Sequence, residues 1–113
     1  MELSDDKVQK ALDWLTENAQ SAAKARAERE YLSEYTKSLR GRLMAEIKEA
    51  EPRLAVDLVS AKAMAHEDYI NHLSGLREAI ERDELMRWRR DAARSVLDAF
   101  QTMSANNRAA RII

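Results

Sequence analysis

Apolar residues recur along this chain at steps of three and four, with almost nothing to interrupt them. Val8, Leu12, Leu15, Ala19, Ala22 and Ala23 are followed by Tyr31, Leu32, Tyr35, Leu39, Leu43 and Ile47, the spacing of one face of an amphipathic helix. The only helix breakers are Gly41, Gly75 and Pro52. Both glycines sit inside periodic pattern. The strong boundary is therefore Glu51-Pro52, because a proline pushes the residue before it out of the α region. Ser4 fits an N-cap, and Asp5 and Asp6 place carboxylates in the first turn, where the helix dipole favours them. The pattern predicts a long helix over about 4–50. Between Asn18 and Ala27 alanines replace large residues, which fits either a close helix approach or a local break.

Beyond Pro52, Leu54, Val56, Leu58, Val59 and Ala61 suit a short connecting helix over about 53–64. His66-Glu67-Asp68-Tyr69 then has the features of a second helix start, with His66 or a neighbour outside the helix and acids in its first turn. From there Ile70, Leu73, Leu76, Ile80, Leu85, Trp88, Ala92, Val96, Ala99, Phe100 and Met103 form an apolar stripe. It predicts a second long helix over about 67–104 and a frayed tail at 105–113, where Asn106 and Asn107 are poor helix formers. Two long helices and a compact connector fold back most simply as an antiparallel, coiled-coil-like hairpin, an all-α single domain. With the bend centred near residue 58, residue i faces roughly 116 minus i. Leu12 and Leu15 then meet Phe100 and Met103, and Tyr31, Leu32 and Tyr35 meet Ile80 to Leu85.

Composition supports helices and narrows the chemistry. Charged residues make up 35% of the chain and hydrophobic ones 45%, and the excess of Ala, Glu, Arg and Leu is that of long helices and coiled coils. A two-helix core is small, so self-association or a protein partner is expected. Cysteine is absent, which excludes disulfides and thiolate zinc sites. No apolar run reaches membrane-spanning length, and the start Met-Glu-Leu-Ser-Asp-Asp is acidic where a secretory signal is basic and then apolar. The expectation is a soluble cytosolic protein with no membrane contact.

The net charge of −1 hides an uneven distribution. Residues 1–23 carry −3, 24–45 carry +3, 46–84 carry −5 and 85–113 carry +4. Folding as a hairpin brings the two positive blocks level. Lys24, Arg26 and Arg29 then join Arg87, Trp88, Arg89, Arg90 and Arg94 as a candidate surface for nucleic acid or a partner, since arginines pair with phosphates while an indole stacks on bases. The plainer reading is a core tryptophan in phase with the stripe, flanked by arginines paired at i,i+4 with Asp83, Asp91 and Asp98. Lys37, Arg40 and Arg42 surround Gly41, where close packing is the simple expectation, as at Gly75. His66 and His72 are six apart, off the spacing that lets two imidazoles converge on one ion. No nucleophile elbow, phosphate loop or paired acid-base pocket is legible. The expectation is no enzyme, cofactor, metal or small-molecule substrate.

The run Ala25-Arg26-Ala27-Glu28-Arg29-Glu30-Tyr31-Leu32-Ser33-Glu34-Tyr35-Thr36-Lys37-Ser38-Leu39, with Leu43-Met44, Asp68-Tyr69, His72-Leu73, Leu76-Arg77-Glu78-Ala79-Ile80 and Asn107-Arg108-Ala109, resembles a family of small helical proteins encoded by tailed bacteriophages and prophages. The likeness spans most of the chain from about residue 20 and departs from the family pattern at Ala50 to Ala65. It implies a phage origin, the host bacterial cytoplasm, and service beside recombination or single-strand-binding proteins. The functional expectation is a non-enzymatic accessory protein of a nucleic-acid-processing complex. An inhibitor of a host defence protein and a virion assembly component are the alternatives.

Overall fold

The computed structural model describes residues 4–112. They form an all-α helical hairpin of three helices: α1, Asp5–Ala50; α2, Val56–Ala65; and α3, Glu67–Ile112. The ends follow local chemistry. Ser4 Oγ accepts the Lys7 N–H at 3.2 Å, the N-cap bond that satisfies a first-turn donor. α1 stops before Pro52. There the Leu54 N–H donates to the Glu51 carbonyl at 3.1 Å, and Lys48 Nζ reaches the Leu54 carbonyl at 2.9 Å. His66 ends α2 and starts α3: its N–H donates to the Ala63 carbonyl, while its Nδ1 accepts the Asp68 N–H at 3.0 Å.

Two boundaries differ from the sequence expectation, the start of α2 and the end of α3, and one alternative left open in α1 is decided. α2 begins at Val56, because Pro52, Arg53 and Leu54 are consumed by the turn. α1 is unbroken through Asn18–Ala27, and Ala25 is buried, so the small side chains serve close approach. α3 continues through the expected frayed tail to Ile112. Ala105, Arg108, Ala109, Ala110 and Arg111 are strong helix formers that outweigh Asn106 and Asn107, and Arg111 complements the dipole in the last turn.

Contacts divide the chain into two units, one of residues 25–83 and one joining residues up to Lys24 with those from Glu84 onward. In the 25–83 unit, Leu39, Leu43 and Ala63 form the core, with Tyr35, Met44, Ile47 and Tyr69 packed against it. Leu43 is 1% exposed and Ala63 fully buried, so the small Ala63 lets α2 lie directly on α1. Around them, Arg40 Nη2 donates to Ser60 Oγ at 3.0 Å and Lys62 pairs with Glu51 at 2.7 Å. These exposed polar ties fix the connector's orientation more than its stability.

Along α1 in this unit the least exposed residues include Ala25, Arg29, Leu32, Thr36, Leu39 and Leu43, and along α3 they include Tyr69, His72, Leu76, Ala79 and Asp83. The alternation of four- and three-residue steps is the 3.5-residue period of a coiled coil. Polar members of the seam answer each other. Arg29 Nη1 donates to Asp83 Oδ2 at 3.2 Å, with Asp83 only 2% exposed. Thr36 Oγ1 and His72 Nε2 lie 2.7 Å apart, and Thr36 Oγ1 donates to the Leu32 carbonyl. The ring of Tyr35 meets His72 edge-on.

These pairs correct both the expected register and the expected stripe. Residue 29 was expected opposite 87 and residue 36 opposite 80. α3 is instead displaced by one to two helical turns, so that its first turn, with Tyr69, packs beside Leu39 and Leu43 and not beside the last turn of α1. The apolar stripe is corrected as well: Ile70 and Leu73 are 54% and 41% exposed, while Asp83 and His72 face inward. A buried carboxylate such as Asp83 needs a guanidinium more than a leucine needs burial, so the seam takes the phase that supplies one.

In the other unit the seam is formed by Val8, Ala11, Leu15, Asn18 and Ala22 of α1 and by Met86, Arg90, Ala93, Leu97, Phe100 and Ser104 of α3. Only Ala11 and Ala93 are buried there among the described residues. Its large apolar side chains stay half-covered, as two helices without a further layer leave them.

Two stability predictions follow from this packing. A Cβ built on Gly41 or Gly75 meets nothing within 4 Å, which removes the packing explanation for both glycines, and neither has positive φ. Gly41→Ala and Gly75→Ala are each expected to stabilise the fold by about 0.5–1 kcal/mol, read as a raised urea midpoint at unchanged slope. Asp83→Ala is expected to cost about 1–3 kcal/mol by removing the buried carboxylate to which Arg29 donates across the seam. The Arg29→Leu/Asp83→Leu double variant recovers most of that loss in the same titration, since an apolar pair needs no partner.

Candidate functional site

The eight residues singled out by charge have different fates. Arg26 Nε donates to Glu30 Oε1 at 3.1 Å, an ordinary i,i+4 surface pair. Arg29 serves the seam. Arg90 also lies on the seam: its Nε is buried without a hydrogen-bond acceptor, 3.5 Å from Asp91 Oδ1. Arg87 is half-buried and engaged with neighbouring groups. Lys24, Arg89 and Arg94 are exposed.

Trp88 is the largest departure from the plainer reading. It is 74% exposed and lies on the side of α3 opposite the seam, so it is no core tryptophan. Leu85, one turn earlier, is 51% exposed. Because successive helical residues turn by about 100°, Arg87 and Arg89 project to opposite flanks of this ridge, and Arg94 follows the Arg87 side. Glu84 and Asp91 stand four residues before and three after Trp88, on the ridge's own side. The arginines therefore do not converge on one phosphate track, and carboxylates border the indole. Exposed tryptophan and arginine are the residue types enriched among the anchors of protein contacts.

Other candidates are absorbed by structure. His66 caps α3, and His72 belongs to the seam. Among the described residues no three His, Asp or Glu side chains are placed to hold a metal ion. Arg42 lies 3.9 Å from Glu46. Lys37 and Arg40 border a shallow hollow of about 260 Å³, with Thr36, Gly41, Met44 and Tyr69. No helix of the described residues is long and apolar enough to cross a membrane.

Sequence reasoning missed the inward role of Asp83 and the outward role of Leu85, and for Trp88 it left surface and core both open. The signal was present: reading polar residues as well as apolar ones at three- and four-residue steps recovers Tyr69, His72, Leu76, Ala79, Asp83, Met86 and Arg90 as one line. No family model, curated protein or solved structure matches this chain.

Proposed function

We propose that this chain is a non-enzymatic accessory protein that docks on a protein component of a nucleic-acid-processing assembly, with the outer ridge of α3 as its contact. The exposure of Trp88 beside Leu85 carries this reading. An indole left 74% in water next to a second large apolar side chain gains by burial against a partner, whereas Glu84 and Asp91 oppose phosphates at the same place. The family resemblance supplies the setting, a phage protein working beside recombination or single-strand-binding proteins in the bacterial cytoplasm. The inhibitor reading uses the same ridge and differs in the identity of the protein captured.

Capture from phage-infected cells by the tagged full chain, read by mass spectrometry, tests the proposal. Trp88→Ala is expected to reduce the specific partner by at least about tenfold, the loss typical of a central anchor, with helix content unchanged because the indole supports no core. Fluorescent single- and double-stranded DNA are expected to bind weakly or not at all at physiological salt. Capture undiminished by Trp88→Ala overturns the docking face. Salt-sensitive DNA binding that is lost in Arg89→Ala/Arg94→Ala replaces it with a nucleic-acid surface.

A further inference from the structure

α3 carries a second apolar line over residues 85–103. Leu85, Trp88, Ala92, Val96, Ala99 and Met103 follow one another at steps of three and four, and all are exposed except the half-buried Val96. The seam toward α1 uses different residues of the same helix. A helix with two such lines is built for two neighbours, and α1 supplies only one of them.

We infer that the second neighbour is α3 of another copy of this chain, packed antiparallel with its twofold axis near residue 94. This rests on reading the ridge as a protein-docking face, and it names one occupant. The order of side-chain sizes selects the arrangement. An antiparallel pair centred there sets Leu85 against Met103, Trp88 against Ala99 and Ala92 against Val96, so that large groups fill the space above small ones. A parallel pair stacks indole on indole and alanine on alanine, which leaves clashes beside voids.

Area is consistent with a dimer. A tryptophan buries about 150–250 Å², so Trp88 alone offers on the order of 150 Å² per copy. With Leu85 at 51% and Met103 at 41% exposed, the ridge falls in the range of roughly 300–600 Å² typical of a functional patch. Doubled by the twofold, this comes to roughly 600–1,200 Å², a range that reaches the roughly 1,000 Å² that separates a specific interface from a chance contact. The basic residues flank the line rather than interrupt it. Self-association and docking are mutually exclusive on this ridge, so partner capture per chain falls as concentration rises through the dimer midpoint.

Sedimentation and light scattering of the full chain across the micromolar range test the inference. The expected mass at high concentration is twice the 12.9 kDa of one chain. Trp88→Ala and, independently, Ala92→Glu raise the dissociation midpoint at least tenfold, with helix content intact. In this cysteine-free protein, Ser95→Cys crosslinks two copies on oxidation because it lies near the axis, and Thr102→Cys does not. A monomer at every concentration, a dimer unmoved by both ridge variants, or crosslinking at Thr102→Cys as efficient as at Ser95→Cys overturns the inference. If the chain is monomeric yet Trp88→Ala still loses the captured partner, docking stands and self-association falls. If the ridge variants break the dimer but leave capture intact, the reverse holds.

Discussion

The Arg29–Asp83 pair is the constraint on which the hairpin's arrangement turns. A carboxylate 2% exposed has lost nearly all its water, and only an excellent partner offsets that loss. Arg29 supplies it from the facing helix at 3.2 Å. Such a pair adds little net stability over an apolar substitute, but it disfavours other registers, because any slip by a turn separates the buried Asp83 from Arg29. The Thr36–His72 contact, nearly two turns away on α1, works in the same direction. Together they fix both the register and the rotational phase of α3 in the 25–83 unit.

In the unit of the chain ends, the seam of α3 runs through Met86, Arg90, Ala93 and Leu97. Turning that line inward carries Leu85 and Trp88 to the outside. The exposed indole is thus a geometric consequence of which line of α3 packs in its own unit, and it costs the hydrophobic burial that a tryptophan on the seam would contribute. A chain that forgoes this burial presents the surface that gives the docking proposal its physical basis.

The two units differ in how they hold together. Around Leu39, Leu43 and Ala63 three helices meet, and the small Ala63 permits the close approach that buries Leu43. Among the described residues of the unit of the chain ends only alanines are buried, and leucine, phenylalanine and methionine side chains remain partly wet. Close-packed cores gain from the many contacts around each large side chain. The second unit lacks that layer and has an outward apolar line in its place.

The sequence by itself determined the helices. Three- and four-residue steps, one proline, Ser4 at the first cap and the His66-Glu67-Asp68 start are local features with local physics, and they led directly to an all-α hairpin. Propensity near Asn106 and Asn107 misled only about where α3 stops, because the surrounding alanines and arginines decide together. What tertiary structure alone decided is which face of α3 meets α1. Apolar periodicity predicted one stripe on that helix, through Ile70, Leu73, Leu85 and Trp88. The fold turns a different line inward, and in the 25–83 unit the pairing of Arg29 with Asp83 and of Thr36 with His72 is a long-range condition that no single-helix pattern contains. The candidate site was therefore legible as a set of residue types around Trp88. Its exposure, and the scattering of its arginines over seam and flanks, came only from the packing of one helix on the other.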